Sequence, residues 1–354
     1  MAGDKPGDNA QCLSLAAALG WPTEVKQLRY RGLGRNLFLP FGDLRFALDV
    51  TASSPLEPPW PDLVIGCGRR SVPVAAEIRR RAGGSPRLVQ FGRPRADLDG
   101  FDLVVTSSQY QLPEHPNVLH LVLPLARFDP ESRALAAAEW APRFERLPRP
   151  HIALLVGGTA TPFVLDVPAA HRLAEHVNAL VRAEGGSLLI STSRRTPEAS
   201  ARAIFDSLEV PAYTHAWTPG GSPNPYSAYL ALADGFVVTG DSASMLADAC
   251  GTGRRVWIAA LPTQRTLRSQ AKNLVRRGLL ARGERGRMRS GPLARLGSRV
   301  LVRGWVRYPR DLGQLHAALV ATGRALPLGQ TFTTPPPPMP DDAELVAARV
   351  RALF

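Results

Sequence analysis

Lysine is nearly absent from this chain, which has three lysines against 40 arginines in 354 residues. Cysteine is as scarce. Cys12, Cys67 and Cys250 stand far apart and form no CxxC pair. That excludes a disulfide framework and a structural zinc site, and leaves buried, reduced thiols. The histidines supply no metal site either, because His171 and His176 are five positions apart and fall on different faces of a helix. Long apolar runs are missing too: stretches such as Ile152–Val156 last only a handful of residues, far short of the roughly 20 that a membrane-spanning helix needs. The segment Met1–Gln11 is polar and lacks the apolar centre of a secretory signal. A soluble, cytoplasmic protein is expected, or one peripheral to the inner face of a membrane. GxSxG, the Walker A pattern and GxGxxG do not occur, which sets aside the serine hydrolase, P-loop and NAD-dependent readings. No metal and no resident cofactor are expected.

Charge is present, and it is unevenly placed. From Arg254 to Arg310 there are 15 arginines and Lys272 against one acid, Glu284. That surplus of 15 exceeds the total of +13, so the rest of the chain is close to neutral. A compositional preference for arginine explains many arginines but not the loss of acids from one stretch. Residues 254–310 therefore form either a solvated basic face or a surface for an anionic partner, of which membrane headgroups fit best. Nucleic acid is not expected, since no aromatic-interleaved or helix-turn-helix pattern accompanies the charge.

A hydrophobic share of 45% excludes global disorder. Short buried strands alternate with helical stretches, the pattern of parallel α/β sheets. In the first half the expected strands are Val25–Tyr30, Asp62–Gly66, Arg87–Phe91, Asp102–Thr106 and Asn117–Pro124. The expected helices there are Ala10–Leu19 and Ser71–Ala82, the second with Val72, Ala75, Ala76 and Ile78 on its apolar face. After the link Leu147–Pro150, strands are expected at His151–Val156, Ser187–Thr192, Ala212–Ala216, Gly235–Thr239 and Arg255–Ala259. Helices at Val167–Glu184, Pro197–Leu208, Pro225–Ala233 and Ala243–Cys250 separate them. Pro335–Pro338 make a stiff extended segment before a last helix over Asp341–Phe354. The fold class is thus α/β, with two Rossmann-like domains facing a cleft and a C-terminal helix that crosses back to the first. The domains are 1–148, 149–330, and 331–354 for the Pro-rich linker and final helix.

Candidate chemistry lies where strands end, because helix N-termini point there. Gly157-Gly158-Thr159 could bring backbone amides and a hydroxyl to a phosphate, or be a plain turn. Ser193-Arg194-Arg195-Thr196-Pro197 offers two guanidinium groups beside a helix start, with Thr196 as N-cap. Asn224-Pro225 opens the next helix, and Tyr226 either stacks on a base or packs in the core. Asp241-Ser242-Ala243-Ser244-Met245 caps another helix, with Asp248 placed to accept from ribose hydroxyls or to face solvent. In the first domain Gly7, Asp8 and Gln11 precede a helix, and Asp8 is either a general base or a cap. Gly68, Arg69 and Arg70 occupy a strand-to-helix loop that faces the same cleft.

The segments Gly7–Gln11, Asp62–Ser71, Ser193–Pro197, Asn224–Tyr226 and Thr239–Met245 together resemble the "elongated mitochondria" fission-factor family, collinearly over roughly residues 5 to 325. The resemblance implies a GT-B glycosyltransferase-like fold. It also implies a nucleoside diphosphate sugar as ligand, held without metal by the residues named in the second domain. The helix bearing Asp248 looks like the nucleotide-sugar helix of the lipid-linked N-acetylglucosaminyltransferases, in which a glutamate holds the ribose. The family generally carries Glu at this place, so the acid here is one methylene shorter. Ser107-Ser108-Gln109-Tyr110 also lacks the His-Asp pair expected after its strand. Plant members assist recruitment of a dynamin-related protein in organelle division. Two functions are therefore implied: sugar transfer to an acceptor near a membrane, or a non-catalytic membrane-associated adaptor that retains the fold.

Overall fold

The computed structural model describes residues 1–30, 48–126, 130–221, 223–264, 303 and 310–354. These divide into two compact units. The first holds residues 1–126, 303, 310–311 and 341–354 as far as they are described, and the second holds 130–264 and 312–340.

The first unit is built on four parallel strands, β1 (Leu63–Cys67), β2 (Arg87–Phe91), β3 (Leu103–Ser107) and β4 (Val118–Leu121), in the order β1-β2-β3-β4. Val89 faces Leu103 across β2 and β3, and Val105 faces Leu119 across β3 and β4. Helix α1 (Pro6–Leu19) starts four residues earlier than the pattern suggests. Proline at N1 has no amide to waste and its φ already suits a helix. Gly7 and Asp8 are therefore inside the helix rather than ahead of it. The helix ends at Gly20 (φ 67°), whose N–H bonds back to Ala16 and Ala17. In α2 (Val72–Arg81) the buried residues are Val72, Val74, Ala75 and Ile78, with Ala76 exposed.

Val25–Tyr30 is not a strand. Among the described residues it makes only isolated bridges, Ala2 with Gln27 and Tyr30 with Leu48. Its amides explain why: Gln27 N–H donates to Ser54 Oγ and Arg29 N–H to Ser53 Oγ, each at 2.9 Å, so side chains take the place of a ladder. The last helix, α9 in the numbering below (Asp342–Arg351), returns to this unit as expected. Its Val346, Ala347 and Val350 are fully buried in one cluster with Cys12, Leu15 and Leu19 of α1 and with Val89 and Val105 of the sheet. Each such buried aliphatic side chain is worth about 1.5–3 kcal/mol.

The second unit starts with α3 (Pro130–Trp140) and has six parallel strands. These are β5 (His151–Leu155), β6 (Ser187–Ser191), β7 (Ala212–His215), β8 (Gly235–Thr239), β9 (Arg255–Ala259) and β10 (Leu326–Pro327), in the order β10-β9-β8-β5-β6-β7. Every residue of β5, β6 and β8 is buried, as strands covered on both faces require. The intervening helices are α4 (Val167–Glu184), α5 (Glu198–Asp206), α6 (Tyr226–Leu232), α7 (Ala243–Cys250) and α8 (Leu312–Ala321). The chain runs outward from β5 to β7, then restarts on the other side at β8. That reversal makes the carboxyl ends of β5 and β8 the switch point of the sheet, where ligands of such folds bind. Both units are thus Rossmann-like. Among the described residues no helix is long and apolar enough to cross a membrane.

Candidate functional site

At the switch point three loops are tied together from within. Gly157 N–H donates to Thr239 Oγ1 at 2.7 Å, and Gly158 N–H to Asp241 Oδ1 at 3.3 Å. Thr239 Oγ1 in turn donates to Asp241 Oδ1 at 2.7 Å. The other carboxylate oxygen of Asp241 holds a guanidinium nitrogen of Arg195. Asp241 is 0% exposed in this pair and Arg195 36%, so the carboxylate is sealed and the guanidinium keeps an open side. A charge removed from water in this way persists only when paired and hydrogen-bonded, and here it is both.

The glycines make room for this arrangement. A Cβ on Gly157 would sit 2.4 Å from the Asp241 carboxylate. One on Gly158, at φ +122°, would sit 2.2 Å from the carbonyl oxygen of Arg195. The amides of Gly157 and Gly158 are therefore engaged by Thr239 and Asp241. Thr159 is engaged as well: its N–H reaches Arg195 O at 3.1 Å and its Oγ1 accepts from Leu165 N–H at 3.2 Å.

Ser193–Pro197 folds differently from the pattern. Thr196 is not the N-cap, since α5 begins at Glu198 after Pro197. The Thr196 hydroxyl accepts from Ser193 N–H at 2.9 Å and lies 3.1 Å from Gly157 O, tying this loop to the glycine turn. Ser193 Oγ donates to the same carbonyl and accepts from Arg195 N–H. Arg194 is exposed and has no hydrogen bond or ion pair among the described residues.

Ser242 is the N-cap of α7, without a side-chain bond to the helix, and its hydroxyl is 3.5 Å from that of exposed Ser244. Met245 is half-buried. Asp248, more than a turn further on and half-buried, accepts from the Tyr226 hydroxyl at 2.8 Å. Burial first, and the Asp248 charge second, push the Tyr226 phenol well above its ordinary value, so it stays a donor. Helix α6 starts one residue after the expected Pro225, and Asn224 Oδ1 accepts from Tyr226 N–H at 3.0 Å. The structure thus brings Gly157, Gly158, Ser193, Arg195, Thr196 and Asp241 into one bonded cluster that leads into α7, with Tyr226 joined to Asp248 beyond it. Thr239 is the cluster member that sequence reasoning missed. A hydroxyl two residues before an acid at a strand end was the available signal.

The first unit has a cavity of about 240 Å³ at the carboxyl end of β1. Its wall includes Asp8, Gly68, Arg69 and Arg70. Gly7 is not part of it, and Gln11 donates to Cys67 Sγ at 3.4 Å. Asp8 is 3.6 Å from Lys5, with its side chain 33% exposed. Arg70 pairs with Asp4 at 2.7 Å and lies 4.8 Å over the Tyr30 ring. Burial pushes Asp4 up, but the Arg70 hydrogen bond and charge outweigh it and hold the carboxyl below its usual range. Burial raises the Tyr30 phenol to about 12. Burial and then the charge of Asp8 raise the Cys67 thiol, so Cys67 is no nucleophile. Asp4, Lys5 and Tyr30 were not legible as site residues. Asp4 and Lys5 arrive through Asn9, whose side-chain amide exchanges two hydrogen bonds with the backbone of Gly3 at 2.8 and 2.9 Å, and the segment leading to Tyr30 is tied to the first residues by Leu28 N–H donating to Ala2 O at 2.8 Å.

Of the basic stretch, residues 265–302 and 304–309 lie outside the described residues. Arg254 serves the fold by donating to carbonyls at the end of α6, including Ala231 O at 2.8 Å. Arg255 makes a two-point contact with Glu184 at 2.7 and 2.8 Å.

The family model described as "Mitochondrial fission ELM1" matches residues 6–297. The mitochondrial fission protein ELM1 of Arabidopsis thaliana is 33% identical over 220 residues, covering 56% of this chain and 51% of that protein. The chain therefore aligns with about half the length of that relative. The uncharacterized protein RP120 of Rickettsia prowazekii is 24% identical over 306 residues, which is 76% of this chain and 84% of the other. Among solved structures, the UDP-GlcNAc 2-epimerase of Methanocaldococcus jannaschii is similar with a TM-score of 0.45 and 12% identity, over 99% of this chain and 98% of that one. The family match extends over most of the sequence, from the start of α1 through β9, and the chain belongs to the mitochondrial fission ELM1 family.

Proposed function

We propose that the second unit binds a nucleoside diphosphate sugar and that the first unit binds the acceptor of the sugar. The observation that carries this reading is Arg195, fixed on one side by buried Asp241 directly ahead of α7 and open on the other, with Arg194 exposed beside it. Two guanidinium groups at a helix start suit a diphosphate leaving group without a metal. Asp248, further along α7, takes the ribose. Transfer breaks the bond from the anomeric carbon to the phosphate oxygen, and the diphosphate leaves with the electron pair. The acceptor oxygen bonds to that carbon, and its proton goes to Asp8. The basic stretch after Arg254 suits an acceptor held at an anionic membrane surface.

A second reading, a non-catalytic adaptor on a membrane, is favoured by one observation. The glycine amides that a diphosphate would use are already engaged by Thr239 and Asp241.

Thermal shifts with UDP, GDP, ADP, CMP and dTDP and their sugars separate the two. Ligand at 100 times its Kd adds about 2.7 kcal/mol of stability. A shift with one nucleotide that is lost in Arg194→Ala and in Asp248→Ala supports the transferase. No shift with any of them supports the adaptor, and binding to phosphatidylserine vesicles then becomes the positive test.

A further inference from the structure

Several arginines of the first unit are held by acids: Arg70 pairs with Asp4, Arg87 with Asp102 and Arg303 with Asp97. Arg310, the last arginine of the basic stretch, is held by neutral groups instead. Its guanidinium lies 3.5 Å from Gln109 Oε1 and hydrogen-bonds the Tyr110 phenol. The side chain is exposed, and among the described residues it makes no ion pair.

The loop after β3 is built around this arginine. Gln109 is buried, and its Nε2 donates to Ser107 Oγ at 3.1 Å, which leaves Oε1 turned toward Arg310. Asp311 N–H donates to Gln109 O at 2.9 Å, and Gln111 Nε2 reaches Asp311 Oδ2 at 3.3 Å. Gln111 has a left-handed backbone (φ 50°), a conformation that a non-glycine residue keeps only where its surroundings impose it. The end of the Tyr110 ring packs on Gly92, where a Cβ would come within 3.3 Å of it. Burial pushes the Tyr110 phenol up, and the charge of Arg310 works against that. Asp8 and Cys67, both in the cavity wall, are within electrostatic reach of the same phenol.

A guanidinium paired with a carboxylate has little charge left for a ligand. One held by an amide oxygen and a phenol keeps its charge, and its planar fork matches phosphate or carboxylate. A merely solvated arginine needs neither a buried glutamine aimed at it nor a strained neighbour. We propose that Arg310 binds an oxyanion, a phosphate or a carboxylate, carried by the acceptor beside the cavity, with Gln109 and Tyr110 as positioning residues. This inference rests on the reading that the first unit binds the acceptor, and it names the charged group of that acceptor.

The test is the rate at which phenylglyoxal modifies each arginine of the full-length protein, read by mass spectrometry. Inorganic phosphate, acetate and chloride are compared at equal ionic strength. Arg349 is the control, since it is also exposed and also donates to a neutral group, Pro116 O at 3.2 Å. Phosphate or acetate at about ten times its Kd should slow modification of Arg310 about tenfold relative to chloride and leave Arg349 unchanged. Whichever anion does so identifies the group. Gln109→Glu, which gives Arg310 an acid, should abolish the slowing. Tyr110→Phe keeps the ring over Gly92 and should weaken it severalfold. Equal slowing at Arg310 and Arg349, or none at Arg310, would overturn the proposal, as would full slowing in both variants. Arg194 reports on the second unit in the same experiment. Slowing at Arg194 without Arg310 overturns this inference and leaves the nucleotide reading standing, whereas slowing at Arg310 without Arg194 supports it and counts against the diphosphate site.

Discussion

Two glycine turns do the same job at equivalent places and end differently. After β5, Gly157–Gly158 closes around an internal carboxylate, that of Asp241, which also holds the guanidinium of Arg195. After β1, which ends at Cys67, the chain turns at Gly68, with φ +73°. There the nearest carboxylate, that of Asp8, comes from a helix facing a cavity of about 240 Å³ and stays a third exposed. A glycine turn at a strand end offers amides, and the side chain that reaches them decides whether they remain available. In the second unit that side chain is the chain's own.

Breaking the closed turn should cost most. Gly158→Ala places a Cβ 2.2 Å from backbone at φ +122°, and a loss on the order of 4 kcal/mol or more in urea unfolding is expected. Gly68→Ala meets only the Asp8 carboxylate at 3.3 Å and should lose about 1–2 kcal/mol from its left-handed backbone. Equal losses would erase the contrast. Next come the acids. Asp241→Ala leaves a guanidinium, an amide and a hydroxyl without their acceptor and should cost about 3–5 kcal/mol. Asp8→Ala breaks a partly exposed pair and should cost under about 1 kcal/mol by the same measurement.

The last contrast concerns the thiols, and it shows only above neutral pH. Burial raises Cys12 in the first unit from 9.0 to about 11 and Cys250 in the second to about 12. Both stay protonated in the native state while the unfolded chain ionises near 9. Stability from this source is therefore intact below pH 9 and is lost as pH rises through about 9 to 11 for Cys12 and to about 12 for Cys250. Maleimide should label none of the three thiols readily in the native protein at pH 7.5, because burial holds each protonated, and all of them once the chain is unfolded in urea. Rapid labelling of Cys250 in the native protein would contradict this.

The second unit was legible in the sequence almost strand by strand, because its strands are covered on both faces and read as continuous apolar runs. Val25–Tyr30 misled for the opposite reason: its alternation matches a strand, but two serines from another segment satisfy its amides. Pro6 was passed over because a polar run precedes the apolar face of α1, and proline at a helix start leaves no periodicity to detect. At the candidate site the residue types were visible and their partners were not. That Arg195 points at Asp241, or Tyr226 at Asp248, depends on which loops and helices become neighbours, and no local spacing encodes that. Thr196 shows the limit well, since a threonine before a proline reads as a cap and here ties one loop to another.

Helix α9 sets an order of events during synthesis. The buried face of α1 and the strands β2 and β3 leave the ribosome about 240 to 330 residues before Val346, Ala347 and Val350, on the order of ten to seventy seconds at usual elongation rates. Through that interval the first unit exposes the apolar surface that those three residues later cover. The second unit has all of β5–β9 well before then. The part of the chain made first is therefore the part that finishes last, and a nascent chain halted before residue 342 presents a complete β5–β9 sheet beside an unfinished neighbour that chaperones would hold.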